Sequence, residues 1–245
     1  MALPWKVAWI TGASTGIGAA VALQMAEQGV KVAASARHLP SLPQHPNIFH
    51  FPLDVTDNAA IAVCVENIEN QLGPIDLGLF AAGAYRAFNP EDFDMATFRR
   101  INEVNYLGPI QCLNALLPRF KVRKSGRVAF VASVAGYQGL PKAAYYGPTK
   151  AALINLAEAL WMELRPFGID VSVVNPGFVE TPMTSGNDFP MPFLMNPEKA
   201  AALTIKGLKA RRFEIAYPLP FVLILKMLQK LPVGLKLRLL QRMTA

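Results

Sequence analysis

KVAWITGASTGIG, residues 6–18, is the stretch on which the fold turns. KVAWI reads as a strand, because β-branched and aromatic residues suit a pleated, buried surface. Gly16 to Gln28 carries a helical period, and Gly29 stops it. The turn between them is rich in glycine. Gly12 permits a tight bend, Gly16 lets a ligand approach the backbone, and Gly18 lets helix and sheet pack closely. With Ser14, Thr15 and Ile17 they form a helix N-terminus whose free N–H groups and positive dipole end suit a pyrophosphate.

Outward from this turn, short β-branched runs alternate with helical periods. Strands are expected at 30–35, 48–53, 75–83, 126–133, 169–174 and 213–217. Helices are expected from about Asp57 to Leu72, behind a Thr-Asp cap, and from Tyr146 to Leu164. That alternation is the pattern of an α/β doubly wound parallel sheet, a Rossmann fold. No linker rich in Gly or Ser marks a boundary, so the expected organisation is one domain over 1–217 plus a hydrophobic, basic appendage over 218–245.

Of the 245 residues 52% are apolar and 17% charged, which supports a sizeable core. Two distant cysteines, Cys64 and Cys112, form no CxxC pair, which argues for a reducing, cytoplasmic setting and against a zinc site. The three histidines, His38, His45 and His50, are unsuitably spaced for a metal. We see no signal-peptide pattern, and no run of about 18 uncharged apolar residues that would cross a bilayer. The net charge of +7 gathers in the tail, where residues 217–245 hold five basic residues and no acid. Those cations alternate with Leu, Ile, Val and Phe, which fits a lipid or protein surface better than nucleic acid.

Gly12-Ala13-Ser14-Thr15-Gly16 also matches the GxSxG nucleophile elbow of α/β hydrolases. That chemistry needs an acid and then a histidine later in the chain, and no histidine follows residue 50. The hydrolase reading fails on chain order. After the second strand, where an NAD-binding fold places an acid for the ribose 2′-OH, the chain has Ser35-Ala36-Arg37. Arg37 suits a 2′-phosphate, so NADP(H) is expected ahead of NAD(H). Asp54, with Val55 beside it, ends the third strand within reach of an adenine.

Two phenols stand together at Tyr145 and Tyr146. Tyr146 and Lys150 are four apart and share a helix face, whereas Tyr145 points about 100° away. An ammonium beside a phenol is expected to lower its pKa toward the range of a general acid–base. Ser133, at the end of a strand, is placed to hold a substrate oxygen against Tyr146.

In these features the chain resembles the single-domain short-chain dehydrogenase/reductases over about residues 5–217. The family's TGxxxGxG motif is met by Thr11, Gly12, Gly16 and Gly18, and its active-site trio by Ser133, Tyr146 and Lys150. Its helix asparagine is met by Asn105 in NYLG. Its proline-glycine motif falls on Pro176 and Gly177, followed by Val179 and Thr181. The resemblance implies hydride transfer between a nicotinamide and a carbonyl or alcohol carbon. Tyr146 would carry the proton, Lys150 tune it and hold the ribose, Ser133 place the oxygen and Asn105 anchor a water relay. Thr181 would contact the carboxamide. One departure is Phe80-Ala81-Ala82-Gly83 where the family often has Asn-Asn-Ala-Gly. The asparagine bonds are lost, with some loosening of the sheet expected, while Gly83 still lets the backbone approach the cofactor beside Ala82.

Residues 181–196, TPMTSGNDFPMPFLMN, occupy the place of the family's substrate lid. Their Met and Phe content points to a lipophilic alcohol or ketone. The tail splits at Pro232-Val233-Gly234 into two amphipathic pieces, suited to peripheral contact with an anionic leaflet or to a subunit interface. The family analogy implies a homodimer or homotetramer. The rival readings are a non-catalytic dinucleotide-binding regulator and a membrane-surface adaptor. The joint presence of Asn105, Ser133, Tyr146 and Lys150 speaks against the first, and the second predicts partners rather than turnover.

Overall fold

Val7–Thr11 forms β1, buried along its whole length, which is the condition for a central parallel strand covered on both faces. In this computed structural model, which describes residues 3–38 and 44–242, β1 pairs on one side with β2 (Lys31–Ser35). On the other it pairs with β4 (Leu77–Phe80). Beyond β2 lies β3 (Ile48–His50). Beyond β4 follow β5 (Gly126–Val131), β6 (Ile169–Pro176) and β7 (Glu214–Tyr217). The seven strands are parallel and ordered 3-2-1-4-5-6-7. Strand order reverses between β1 and β4, and open α/β sheets bind ligands at the carboxyl ends beside such a reversal.

The β1 helix, α1, runs Gly16–Glu27. Asp57 caps α2 (Asn58–Leu72) by accepting from the Ala60 N–H at 3.0 Å. Between β4 and β5 the helical period is interrupted by Gly108, Pro109 and Pro118, and the structure places three segments there. These are α3 (Met95–Asn102), a π-helical turn over Glu103–Leu107, and α4 (Gly108–Arg123). Then come α5 (Gly147–Leu164), α6 (Pro197–Lys209), α7 (Leu219–Gln229) and α8 (Val233–Arg242).

The sheet around β4 is not loosened by its missing asparagines. The Phe80 ring is fully buried, 5.8 Å from Trp9 and 5.6 Å from Phe130 in edge and tilted contacts. Trp9 in turn donates its indole N–H to Ser35 at 3.0 Å. Burying aromatic rings of this size stabilises by about 1.5–3 kcal/mol each. Three strands end earlier than expected, β3 at His50, β4 at Phe80 and β5 at Val131, so that Ser133 stands two residues past its strand. Leu53 and Gly83, assigned to those strands on sequence, have instead left the sheet to line a cleft.

The tail divides at residues 230–232. Phe221, Val222 and Leu225 of α7 are buried against Val134, with Tyr137, Leu140 and Phe178 packed around them. Among the described residues no helix is long and apolar enough to cross a membrane.

Candidate active site

The glycine turn after β1 is shaped by its neighbours. Gly12 has φ +68°, and a Cβ there would lie 2.6 Å from the Ala82 nitrogen. Gly16 has φ +58°, and its Cβ would meet Thr181 Cγ2 at 2.7 Å. Both positions are therefore closed to other residues by backbone conformation and by space. Gly18 differs from expectation. A Cβ there would strike the Gly12 carbonyl oxygen at 2.3 Å, so this glycine closes the turn on itself rather than fitting helix to sheet.

Above the turn lies a cleft lined by Gly12, Ser14, Thr15, Gly16, Ile17, Gly18, Gly83, Pro176, Gly177, Val179 and Thr181, and also by Ser133, Tyr146 and Lys150. A second compartment shares Gly12, Ser14 and Gly83 with it, and adds Arg37, Asp54, Val55 and Ala82. Three of the residues lining the second compartment, Arg37, His38 and Arg100, are basic side chains, against one carboxylate. Arg100 was not foreseen from the sequence. It lies 3.4 Å from Asp54, whose other oxygen accepts from the Thr56 N–H at 3.0 Å and hydroxyl at 2.8 Å. Burial works against the Asp54 carboxylate, but these hydrogen bonds and the guanidinium hold it below the ordinary range.

Tyr146 is the N-cap of α5, and the first turn of that helix carries Lys150 back beneath it. Lys150 Nζ donates to the Val131 carbonyl at 2.8 Å and lies 5.3 Å from the Tyr146 ring centre. The lowered phenol expected from the Tyr–Lys spacing is not what this geometry produces. Burial pushes Tyr146 up to about 12, with the neighbouring Ser133 side chain pulling the other way. Burial likewise brings Lys150 down to about 7, since a carbonyl alone replaces little of an ammonium's hydration. Ser133 Oγ accepts from the Ala135 N–H at 3.1 Å and donates to the Pro176 carbonyl at 3.3 Å, which fixes its side chain beside the phenol.

Asn105 sits in the π turn, wholly buried. Its Oδ1 accepts from the Ala84 N–H at 2.7 Å, while Nδ2 donates to the Ala84 carbonyl at 2.9 Å and to Thr149 Oγ1 at 3.2 Å. Thr149 donates in turn to the Tyr146 carbonyl at 2.7 Å. Asn105 thus lies behind the cleft, clamping the chain after β4 to the start of α5. π turns of this kind gather at functional sites.

Tyr145 faces the other way. Its hydroxyl accepts from the Asp94 N–H at 2.7 Å and donates to the Asp92 carbonyl at 3.3 Å. Its ring packs with Phe88, Phe93 and Phe98. It lines neither compartment and instead ties the segment before α3 to the start of α5.

A third cavity adjoins the first and shares Ser133, Tyr146, Gly177, Met183 and Thr184 with it. Its remaining walls are largely apolar, among them Val134, Leu140, Phe178, Phe189 and Phe221, with Tyr85 half-buried at one side. The Tyr85 ring stands edge-on to Tyr146 at 5.4 Å. Phe221 belongs to α7, in the stretch read as an appendage, and Tyr85 had no motif to mark it. The lid is closed at its base by a bridge between Val179 and Met195, where the Met195 N–H donates to the Phe178 carbonyl at 3.0 Å.

The sequence profile of the short chain dehydrogenase matches residues 6–189. The chain belongs to that family. It is an oxidoreductase of the CH–OH type, and its fold is one that binds a nicotinamide dinucleotide. An uncharacterized oxidoreductase of Myxococcus xanthus is 34% identical over 238 residues, covering 94% of both chains. The 3-ketodihydrosphingosine reductase of Bos taurus is 33% identical over 195 residues, which is 74% of this chain and 59% of the bovine one. Among solved structures, a short chain dehydrogenase from Burkholderia cenocepacia in complex with NADP superposes with a TM-score of 0.86. It is 26% identical and covers 98% of this chain and 99% of its own.

Proposed function

We propose that this family member is an NADP(H)-dependent reductase of a lipophilic ketone or aldehyde, with Tyr146, Ser133, Lys150 and Asn105 as its working set. The observation that carries this is the position of Tyr146 and Ser133, which form the wall common to the glycine-lined cleft and the apolar cavity. A carbonyl entering from the apolar side meets the phenol and the serine hydroxyl together.

The glycines favour the dinucleotide on steric grounds. A side chain at Gly12 or Gly16 would fill the space along the turn, and the α1 N-terminus turns its N–H groups into it. Arg37 has no carboxylate partner among the described residues and lines the second compartment with Arg100 and His38. Two guanidiniums against the single carboxylate of Asp54 suit a 2′-phosphate, and the Burkholderia neighbour's NADP agrees with it.

A nicotinamide, when bound, supplies the hydride that such a reduction adds to the carbonyl carbon. Tyr146 contributes the proton on oxygen. At neutral pH the phenol carries its proton, as any tyrosine whose pKa is not lowered does, so it enters the reduction as the donor. Ser133 orients the oxygen. Lys150, near half-protonated around neutral pH, stands behind Tyr146 to restore charge balance as the phenol gives up its proton. Asn105 positions Tyr146 through Thr149. The apolar walls of the third cavity, and the sphingoid ketones named in the bovine and zebrafish (Danio rerio) relatives, point to a long-chain substrate.

The test follows NADPH absorbance with long-chain ketones while the two neighbouring phenols are removed in turn. Tyr146→Phe should lower kcat/KM by about 10²–10⁴. Tyr145→Phe should leave turnover close to wild type and instead lower stability by about 1–2 kcal/mol through two lost hydrogen bonds. Equal losses of turnover in both variants would overturn the assignment.

A further inference from the structure

Apart from its buried face, α7 shows a second apolar stripe. Leu219, Leu223 and Met227 recur every four residues, and they are 64%, 46% and 66% exposed. They lie opposite Phe221 and Leu225, which pack inward. α8 repeats the arrangement more briefly, with Leu235 and Leu237 exposed and Leu240 buried as its anchor. A water-facing helix with apolar residues on both sides is incomplete until something covers the outer one.

The charges around this face narrow what that cover is. Lys226 is paired with Glu214. Lys230, Lys236 and Arg238 have no carboxylate partner among the described residues. The segment from Tyr217 to the end of the chain contains no acid. A second copy of the chain, placed face to face by two-fold symmetry, would bring these cations against their own equivalents, which costs affinity. An anionic surface meets them favourably. A helix with exposed leucines between unpaired lysines and arginines, too short to span, is the form of an element that lies in the headgroup layer.

Location adds a second argument. The inner face of α7 supplies Phe221 to the apolar cavity. The Phe193 ring on the lid lies 6.1 Å from Phe221, and Phe193 and Leu194 are themselves about half exposed. The stripe, the lid tip and the cavity wall are therefore parts of one side of the molecule.

We infer that the outer face of α7, continued by α8, docks the protein on the surface of an anionic lipid bilayer, with Leu219, Leu223 and Met227 in the headgroup layer and Lys230, Lys236 and Arg238 against lipid phosphates. The docking surface stands on these residues alone. That it passes a lipophilic substrate from bilayer to cavity rests on the reductase reading given above.

Flotation of the full chain tests it, using vesicles of phosphatidylcholine alone and of phosphatidylcholine mixed with phosphatidylglycerol. The wild type should float with the mixed vesicles and stay largely at the bottom with the neutral ones. L219S/L223S/M227S should remain at the bottom with both. K230Q/K236Q/R238Q should lose partition to mixed vesicles by on the order of a hundredfold. NADPH fluorescence quenching, expected to be unchanged in all three proteins, shows that each variant is folded. Failure to float on mixed vesicles, or equal flotation on both, overturns the inference. So does a wild type that elutes at twice the mass of the L219S/L223S/M227S variant, because a second copy then covers the face. Flotation does not depend on turnover, so an inactive protein that floats would sink the reductase reading and leave this one intact.

Discussion

The two sides of the cleft are made differently. On the dinucleotide side the walls are backbone: Gly12, Gly16 and Gly18 close a turn in which any Cβ would come within 2.7 Å of an existing atom. On the substrate side the walls are side chains brought from far apart, with Tyr85 after β4, Leu140 before α5, Phe189 on the lid and Phe221 on α7. A backbone cradle tolerates almost no change, and on the proposed reading it would recognise what every dinucleotide has in common. A wall of Met and Phe repacks readily, and on the same reading it would set which chain lengths enter. Ser133 and Tyr146 belong to both sides and couple them.

The sharpest way to break that contrast is to put a side chain into the cradle. Gly12→Val sets a β-branched residue at φ +68°, with its Cβ 2.6 Å from the Ala82 nitrogen. NADPH binding should fall by at least about a thousandfold, or about 4 kcal/mol, read by fluorescence quenching. A valine tolerated there with unchanged affinity would show that the turn does not form the cofactor wall. A smaller effect is expected at the ribose end. Arg37→Ala should weaken NADPH by on the order of 10- to 100-fold through loss of a charge-assisted contact, and leave NADH nearly unchanged. Should both cofactors weaken equally, Arg37 is only part of the compartment's general charge.

The same contrast explains what was legible beforehand. The parallel sheet, the α1 turn and the Ser133–Tyr146–Lys150 spacing are local patterns, and local patterns can be read from one stretch of chain. Arg100 could not be read that way, because its meaning comes from Asp54, a residue in a distant segment. Tyr85 and Phe221 were hidden for the same reason, since neither has a motif and both matter through what they face. The protonation of the Tyr–Lys pair was read with the wrong sign. Spacing gives proximity, but the degree of burial decides the direction, and both groups are buried. Helix α4 escaped because Gly108, Pro109 and Pro118 break its apolar period, and α3, only eight residues long, and α6 were not foreseen either.

The smallest expected effect lies on the adaptable side and is the most informative about it. Phe221 stacks on Phe178 with ring centres 5.7 Å apart, meets Phe193 at 6.1 Å, and is 4% exposed. Phe221→Ala removes a wall of the apolar cavity without touching Tyr146, Ser133 or the glycine turn. If the cavity takes the substrate's apolar chain, KM for a long-chain ketone should rise roughly tenfold, since one lost aromatic contact is worth about 1–3 kcal/mol. KM for a short aldehyde and affinity for NADPH should stay within about twofold, because neither reaches α7 and a twofold change is well under 1 kcal/mol. Truncating a buried ring also destabilises, by about 3–5 kcal/mol, so Phe221→Leu serves as the control that keeps the fold while shortening the wall. A chain-length profile unchanged in both variants would mean that Phe221 only packs α7 onto the domain, and that the side facing Tyr146 selects its substrate elsewhere, from Tyr85 and the lid.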